Sequence, residues 1–170
     1  MLSFSTSSLT TIEVAITCDT ALDMADQDKV LYLKGQRNLL KCKDGQSPTL
    51  FVLKALSPAE REEAEIKAGA YTRSELGRML YLEQPDSGKD RAYWHDSLTD
   101  KEKTALAEYN AYLNRVYQEM IKISCVEIKG VNGKPWDLIQ SIKPDIVRVQ
   151  TIGELVAHIS NLSLLGEEGK

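Results

Sequence analysis

Thr49-Leu50-Phe51-Val52-Leu53-Lys54-Ala55-Leu56-Ser57-Pro58-Ala59-Glu60 holds the transition that decides the fold. Thr49–Leu53 is β-branched, aromatic and aliphatic, and Pro48 precedes it, so it reads as a strand. Ser57-Pro58-Ala59-Glu60 then opens a helix. The Ser57 hydroxyl suits the N-cap, Glu60 can reach back to the Ser57 amide, and Pro58 sits where a missing N–H does no harm. Glu60, Glu62 and Glu63 suit the positive end of the helix dipole.

Upstream of this stretch the chain reads as β. Ile12, Val14 and Ile16 alternate with Glu13, Ala15 and Thr17, which predicts a half-buried strand. Val30-Leu31-Tyr32-Leu33 is expected to form a second strand, and Leu39–Lys43 another or its extension. Asp44-Gly45 predicts a turn. Asp23, Asp26 and Asp28 lack the spacing of a calcium loop and read as a solvated segment. Residues 12–56 are thus expected to form a small antiparallel sheet, which needs a cover for its apolar face.

Downstream the chain reads as α. The pattern Ser/Thr-x-x-Glu recurs at Thr72…Glu75, Thr99…Glu102 and Thr151…Glu154, each time before apolar residues at helical spacing. Leu106, Tyr109, Leu113, Val116, Met120 and Ile123 step by three and four residues along a helix expected from about 100 to 124. That seam is either the inward face of a core helix or a helix–helix interface with another copy or a partner. Val126 and Ile128 alternate with Glu127 and Lys129. Trp136–Ile142 reads as a short helix ending before Pro144. The last helix carries Leu155, Val156, Ile159 and Leu162 on one stripe. The expected fold is α+β: a small N-terminal antiparallel sheet packed by a helical bundle of about five helices over 57–165. Flexible residues 1–11 and a polar tail, 166–170, flank this single domain.

Composition narrows the function. Hydrophobic residues make up 42% and charged residues 27% of the 170-residue chain, as in folded globular proteins. The net charge of −4 argues against a nucleic-acid binder, which needs Lys and Arg against phosphates. Residues 1–8 have neither the basic start nor the apolar run of a secretory signal, and no apolar run has membrane-spanning length. Cys18, Cys42 and Cys125 are too few and too scattered for a disulfide framework and read as thiols in a reducing compartment. No phosphate-binding glycine loop, nucleophile elbow or metal-ligand spacing is present. His158 reads as a structural histidine on a helix, and Tyr93-Trp94-His95-Asp96 as a packed loop. No catalytic, cofactor-binding or metal-binding residue is assigned, and a non-enzymatic binding or assembly role is expected.

Two stretches carry a family resemblance. Thr11–Ile16, the Asp-rich gap and Thr49–Glu62 resemble the N-terminal half of the tail assembly chaperones of long-tailed bacteriophages. Thr151–Glu168 resembles their C-terminal Glu-Leu helix and its Leu-Ser-Leu and acidic tail. The likeness covers about 12–68 and 136–168. It implies a chaperone in the host cytoplasm that binds the tape-measure protein and helps recruit tail-tube subunits. It also implies no enzymatic activity, no cofactor, no membrane and at most weak self-association. In that family a longer product often arises by frameshifting, and Gly169-Lys170 fits a slippery site of G and A codons. The alternative is a structural tail or neck subunit of the virion. On the chaperone reading, the faces expected to meet the partner are Leu155, Val156, Ile159 and Leu162, and the seam of Leu106, Tyr109, Leu113, Val116 and Met120.

Overall fold

The computed structural model describes residues 11–69, 75–86 and 88–165. Among these the fold is α+β, with a three-stranded antiparallel sheet and seven α-helices. The chain divides into two compact units, Met1–Glu62 with Met120–Lys170, and Glu63–Glu119. Of the expected tail at 1–11, Thr11 belongs instead to the first strand; Thr72, the rest of that tail and the tail at 166–170 lie outside the described residues.

The first unit holds the sheet, in the order β1 (Thr11–Ala15), β2 (Leu50–Lys54), β3 (Cys125–Ile128). Val14 pairs with Phe51, and Phe51 with Ile128, so one apolar row crosses all three strands. The sheet is therefore not contained in 12–56; its third strand comes from the segment after 124. A bulge between Val52 and Leu53 leaves Val126 unpaired, because Val52 faces Glu127 while Leu53 faces Cys125. The extra residue turns Cys125 and Ile128 to the same buried face and puts Val126 half in solvent. Simple alternation from Val126 to Lys129 is corrected accordingly.

The buried face packs on α6 (Pro135–Gln140), α7 (Asp145–Leu165) and the end of α5 (Asp100–Ser124). Val14, Leu53, Ile121, Ile139, Leu155 and Ile159 are fully buried there. At one end the other sheet face is also covered. Ala15, which pairs with Leu50, packs with Leu22, Met24 and Tyr32.

Two expected strands are absent. Val30–Leu33 belongs to α1 (Asp26–Leu33), whose first turn carries Asp26 and Asp28 at the positive end of the helix dipole. Tyr32 turns inward, and its hydroxyl oxygen accepts the Ala15 N–H at 2.9 Å. Leu39–Lys43 gives a 3₁₀ turn at Arg37–Leu39 and one isolated bridge, Leu22 to Cys42. Gly45 takes the positive φ of 72° that the Asp44-Gly45 turn requires.

Two helix starts follow the reading of the sequence. The Ser57 N–H donates to Glu60 Oε2 at 2.9 Å, and the Glu60 N–H to Ser57 Oγ at 3.3 Å, at the start of α2 (Pro58–Lys67). Thr99 and Glu102 repeat this at α5, at 2.8 and 3.4 Å. The Thr151…Glu154 start is overturned, because α7 already begins at Asp145 behind Pro144. Thr151 sits in mid-helix, and its hydroxyl donates back to the Val147 carbonyl at 2.8 Å. Glu154 points elsewhere.

The second unit holds the last part of α2, α3 (Glu75–Glu83), α4 (Gly88–Ser97) and α5 as far as Glu119. Among its described residues the buried apolar side chains are Ala64, Ala68, Leu80, Ala105, Leu106 and Val116. Arg115 Nε donates to the Ala68 carbonyl at 2.9 Å, and the rings of Tyr81 and Tyr109 lie 5.4 Å apart. Burial and a hydrogen bond with Tyr81 push the Tyr117 hydroxyl up to about 12.

Candidate partner-binding surface

The stripe expected on the last helix turns inward. Leu155 and Ile159 are fully buried in the core of the first unit, and Val156 and Leu162 pack at its margin. The α5 seam turns inward too. Leu106 and Val116 are buried in the second unit, where Tyr109 and Leu113 are half-buried. Met120 and Ile123 pack against the core of the first unit. Of the two readings of this seam, the core-facing one describes these side chains. Apolar residues at helical spacing mark the side of a helix that avoids water, and they do so equally for a core and for an interface.

The exposed apolar side chains lie elsewhere. In the second unit Ile66 and Leu82 are each 71% exposed, Met79 is 55% and Tyr93 78%. Met79 and Leu82 stand one turn apart on α3, whose other side buries Leu80 and Gly77. Tyr93-Trp94-His95-Asp96 is helical, not a packed loop, and α4 buries none of its residues. A ten-residue helix is marginal in water without tertiary packing, so α4 is a surface that gains from a cover. Leu76, Met79, Leu80 and Leu82 are all apolar at helical spacing, and only the burial of Leu80 separates the inward side of α3 from the outward Met79 and Leu82.

The first unit has a cavity of about 340 Å³ between the sheet, α6 and the first turns of α7. Ile16, Phe51, Ile128, Leu138 and Ile142 give it an apolar wall. Asp19, Ser141 and Thr151 on its wall are engaged within the fold. Asp19 accepts the N–H groups of Ala21 and Thr49 at 2.9 and 2.8 Å. The hydroxyls of Ser141 and Thr151 donate to main-chain carbonyls. Burial, then the Glu154 charge, raises the Cys18 thiol above its ordinary range. Burial also pushes the Cys125 thiol up to about 11. Both sulfurs are held as thiols, the weakly nucleophilic form.

His158 is fully buried. Its Nδ1 lies 3.1 Å from Arg37 Nη1, and its ring meets Tyr32 edge-on at 5.2 Å. A guanidinium only donates, so Nδ1 accepts and the ring proton resides on Nε2. Burial, aided by the Arg37 charge, takes its pKa down to about 3. Asn161 Nδ2 donates to the Leu33 carbonyl nearby. Together with Tyr32 and Ala15, these contacts fasten the 21–40 segment to both α7 and β1. They give His158 a structural role.

No helix among the described residues is long and apolar enough to cross a membrane. No protein-family model, curated protein or solved structure matches the chain.

Proposed function

We propose that this protein is a non-enzymatic assembly factor, acting as a tail assembly chaperone that binds the tape-measure protein of a long-tailed phage and helps recruit tail-tube subunits. The observation that carries the reading is the outward placement of Ile66, Met79, Leu82 and Tyr93 on the short helices of the second unit. Long amphipathic helices that await assembly expose apolar stripes. Short helices with outward Met, Leu and Tyr side chains suit such stripes, because flexible and aromatic groups adapt to several partner registers. Each contact is small, so repeated binding along a long partner supplies the strength while single contacts stay releasable. The partner-binding residues of this proposal are on α2, α3 and α4, in place of the α7 stripe and the α5 seam.

Co-expression with the tape-measure protein from the same genome tests the reading. The chaperone keeps that protein in the soluble fraction and co-purifies with it. A tape-measure protein that stays insoluble and unbound would remove the proposal.

A further inference from the structure

The cavity of about 340 Å³ in the first unit has a floor and a mouth of different chemistry. Ile16, Phe51, Ile128 and Thr151 form the floor and are buried, whereas Thr49, Val131 and Ser141 at the mouth are exposed. Its volume is more than twice the ~150 Å³ of an apolar cavity that accepts a benzene ring. It falls in the lower part of the ~300–1,000 Å³ range of small-molecule sites.

The polar side chains on the wall select the ligand. No Lys, Arg or His is among the described residues that line the cavity. The Ser141 and Thr151 hydroxyls have given their protons to the Leu138 and Val147 carbonyls, so toward the cavity they offer only lone pairs. The Asp19 carboxylate accepts the Ala21 and Thr49 amides, one on each oxygen, and each oxygen keeps a further lone pair. Among the described residues no cation pairs with Asp19. Burial, then the charges of Glu154 and Asp19, raise the Cys18 thiol on the same wall, so the potential there is negative.

We propose that this cavity is a binding site for a small primary amine with an aromatic-sized apolar body, its ammonium beside Asp19 and its body on the floor against Ile16, Phe51 and Ile128. An ammonium donates three hydrogen bonds and accepts none, which complements an acceptor-rich edge. Bonds from a charged donor to a carboxylate are also the stronger kind. A carboxylate or phosphate ligand meets Asp19 with like charge and finds no cation on the wall. A wholly apolar ligand desolvates the acceptors without pairing them, which costs affinity. The order of floor and mouth decides between a free amine and a lysine of another chain. Asp19 bonds to exposed Thr49 near the mouth, so the apolar end of the ligand goes in first and the charge stays outermost. A lysine side chain enters with its charge leading and its stem behind. The site lies within the first unit and does not depend on the tape-measure reading.

Amide NMR titration of the full chain at pH 7 with phenethylamine, phenethyl alcohol and hydrocinnamate tests it. The three share an aromatic body and differ at the polar end. The expected result is saturable binding of the amine with a Kd of about 1 mM or below. Its shifts concentrate at Cys18, Asp19, Phe51 and Thr151. The alcohol binds at least about fivefold more weakly, the margin of a charge-assisted over a neutral hydrogen bond, and the acid more weakly still. Nα-acetyllysine amide, whose ammonium leads, leaves these amides unmoved. Val147→Trp fills the cavity from α7 and lowers amine affinity at least about tenfold, while circular dichroism and the unfolding midpoint hold. Asp19→Asn keeps one acceptor oxygen and brings amine and alcohol to within about twofold of each other. No saturable shift with the amine up to about 20 mM would overturn the proposal. Equal affinities for amine and acid would do the same, as would a lysine amide that binds as tightly as phenethylamine. A folded Val147→Trp chain that binds like wild type, or a folded Asp19→Asn chain that keeps the full preference for the amine, equally overturns it.

Discussion

Glu154 and Thr17 are 137 positions apart in sequence, yet the carboxylate of Glu154 accepts both the Thr17 N–H and the Thr17 hydroxyl at 2.6 Å. Gln150 Nε2 donates to the same carboxylate at 2.9 Å. This buried latch joins α7 to the chain just after β1, so the last helix is held by a directional contact as well as by apolar packing.

Glu154→Ala strands a buried amide and hydroxyl at Thr17. The expected cost is about 2–6 kcal/mol, from ~1–3 kcal/mol for each of the two unsatisfied buried donors. Glu154→Gln keeps one acceptor oxygen and is expected to lose about half as much. Urea unfolding of the two variants beside wild type checks both values. Equal stability of Glu154→Ala and wild type would mean that Thr17 finds another acceptor.

His158 makes stability depend on pH. Its pKa is about 3 in the fold against an ordinary value of 6.5, so the unfolded chain binds the extra proton first. The contribution is fully present above pH 6.5 and drains away as pH falls toward 3, by up to ~1.4 kcal/mol per pH unit. Between pH 5 and 6.5 ordinary carboxylates stay ionised, so a slope there reports histidine. His158→Gln retains an acceptor for Arg37 and removes that proton. Its stability is expected to be flatter over this window, as measured by urea midpoints at several pH values. An unchanged slope would contradict the buried neutral ring.

The Ser57–Glu60 cap predicts a smaller effect with its own pH signature. Ser57→Ala is expected to cost about 1 kcal/mol. Lys54 first, then Ser57, holds the Glu60 carboxyl below its ordinary range. Stability from that ionised group is present above pH 4.5 and is lost as pH falls through the lowered value. The penalty of Ser57→Ala is therefore largest near neutrality and shrinks in acid. Thermal melts at pH 7 and pH 4 read the difference.

Local signals in the sequence located much of the fold. β1, β2, α2, α5 and α6 follow from period-two alternation, the Ser57 and Thr99 caps, the seam to Ile123 and the Pro135–Pro144 boundaries. Where reading failed, a distant residue decided. Val30–Leu33 is too short to distinguish strand from helix by pattern, and the outcome depends on Tyr32 reaching Ala15 and His158. The bulge at Val126 depends on β2, which is far away in sequence. Thr151…Glu154 has the form of a cap, but Glu154 serves Thr17 and Thr151 bonds within the helix. For the site, apolar spacing identified which sides of α5 and α7 avoid water. It could not separate a core from an interface, and the solvent-facing Met79 and Leu82 emerged only with the burial of Leu80 beside them.

The contrast between buried and exposed apolar groups leads to the most direct test. Leu155→Ala opens a core cavity and is expected to cost about 2–5 kcal/mol. Met79→Ser/Leu82→Ser changes surface positions and is expected to stay within about 0.5 kcal/mol per site. The deciding measurement is the yield of tape-measure protein co-purified by wild type and by the folded Met79→Ser/Leu82→Ser variant. A severalfold lower yield from the variant, at unchanged stability, is the result predicted here. Equal yields from the two, or no co-purification with wild type, would contradict the assignment of partner binding to this exposed surface.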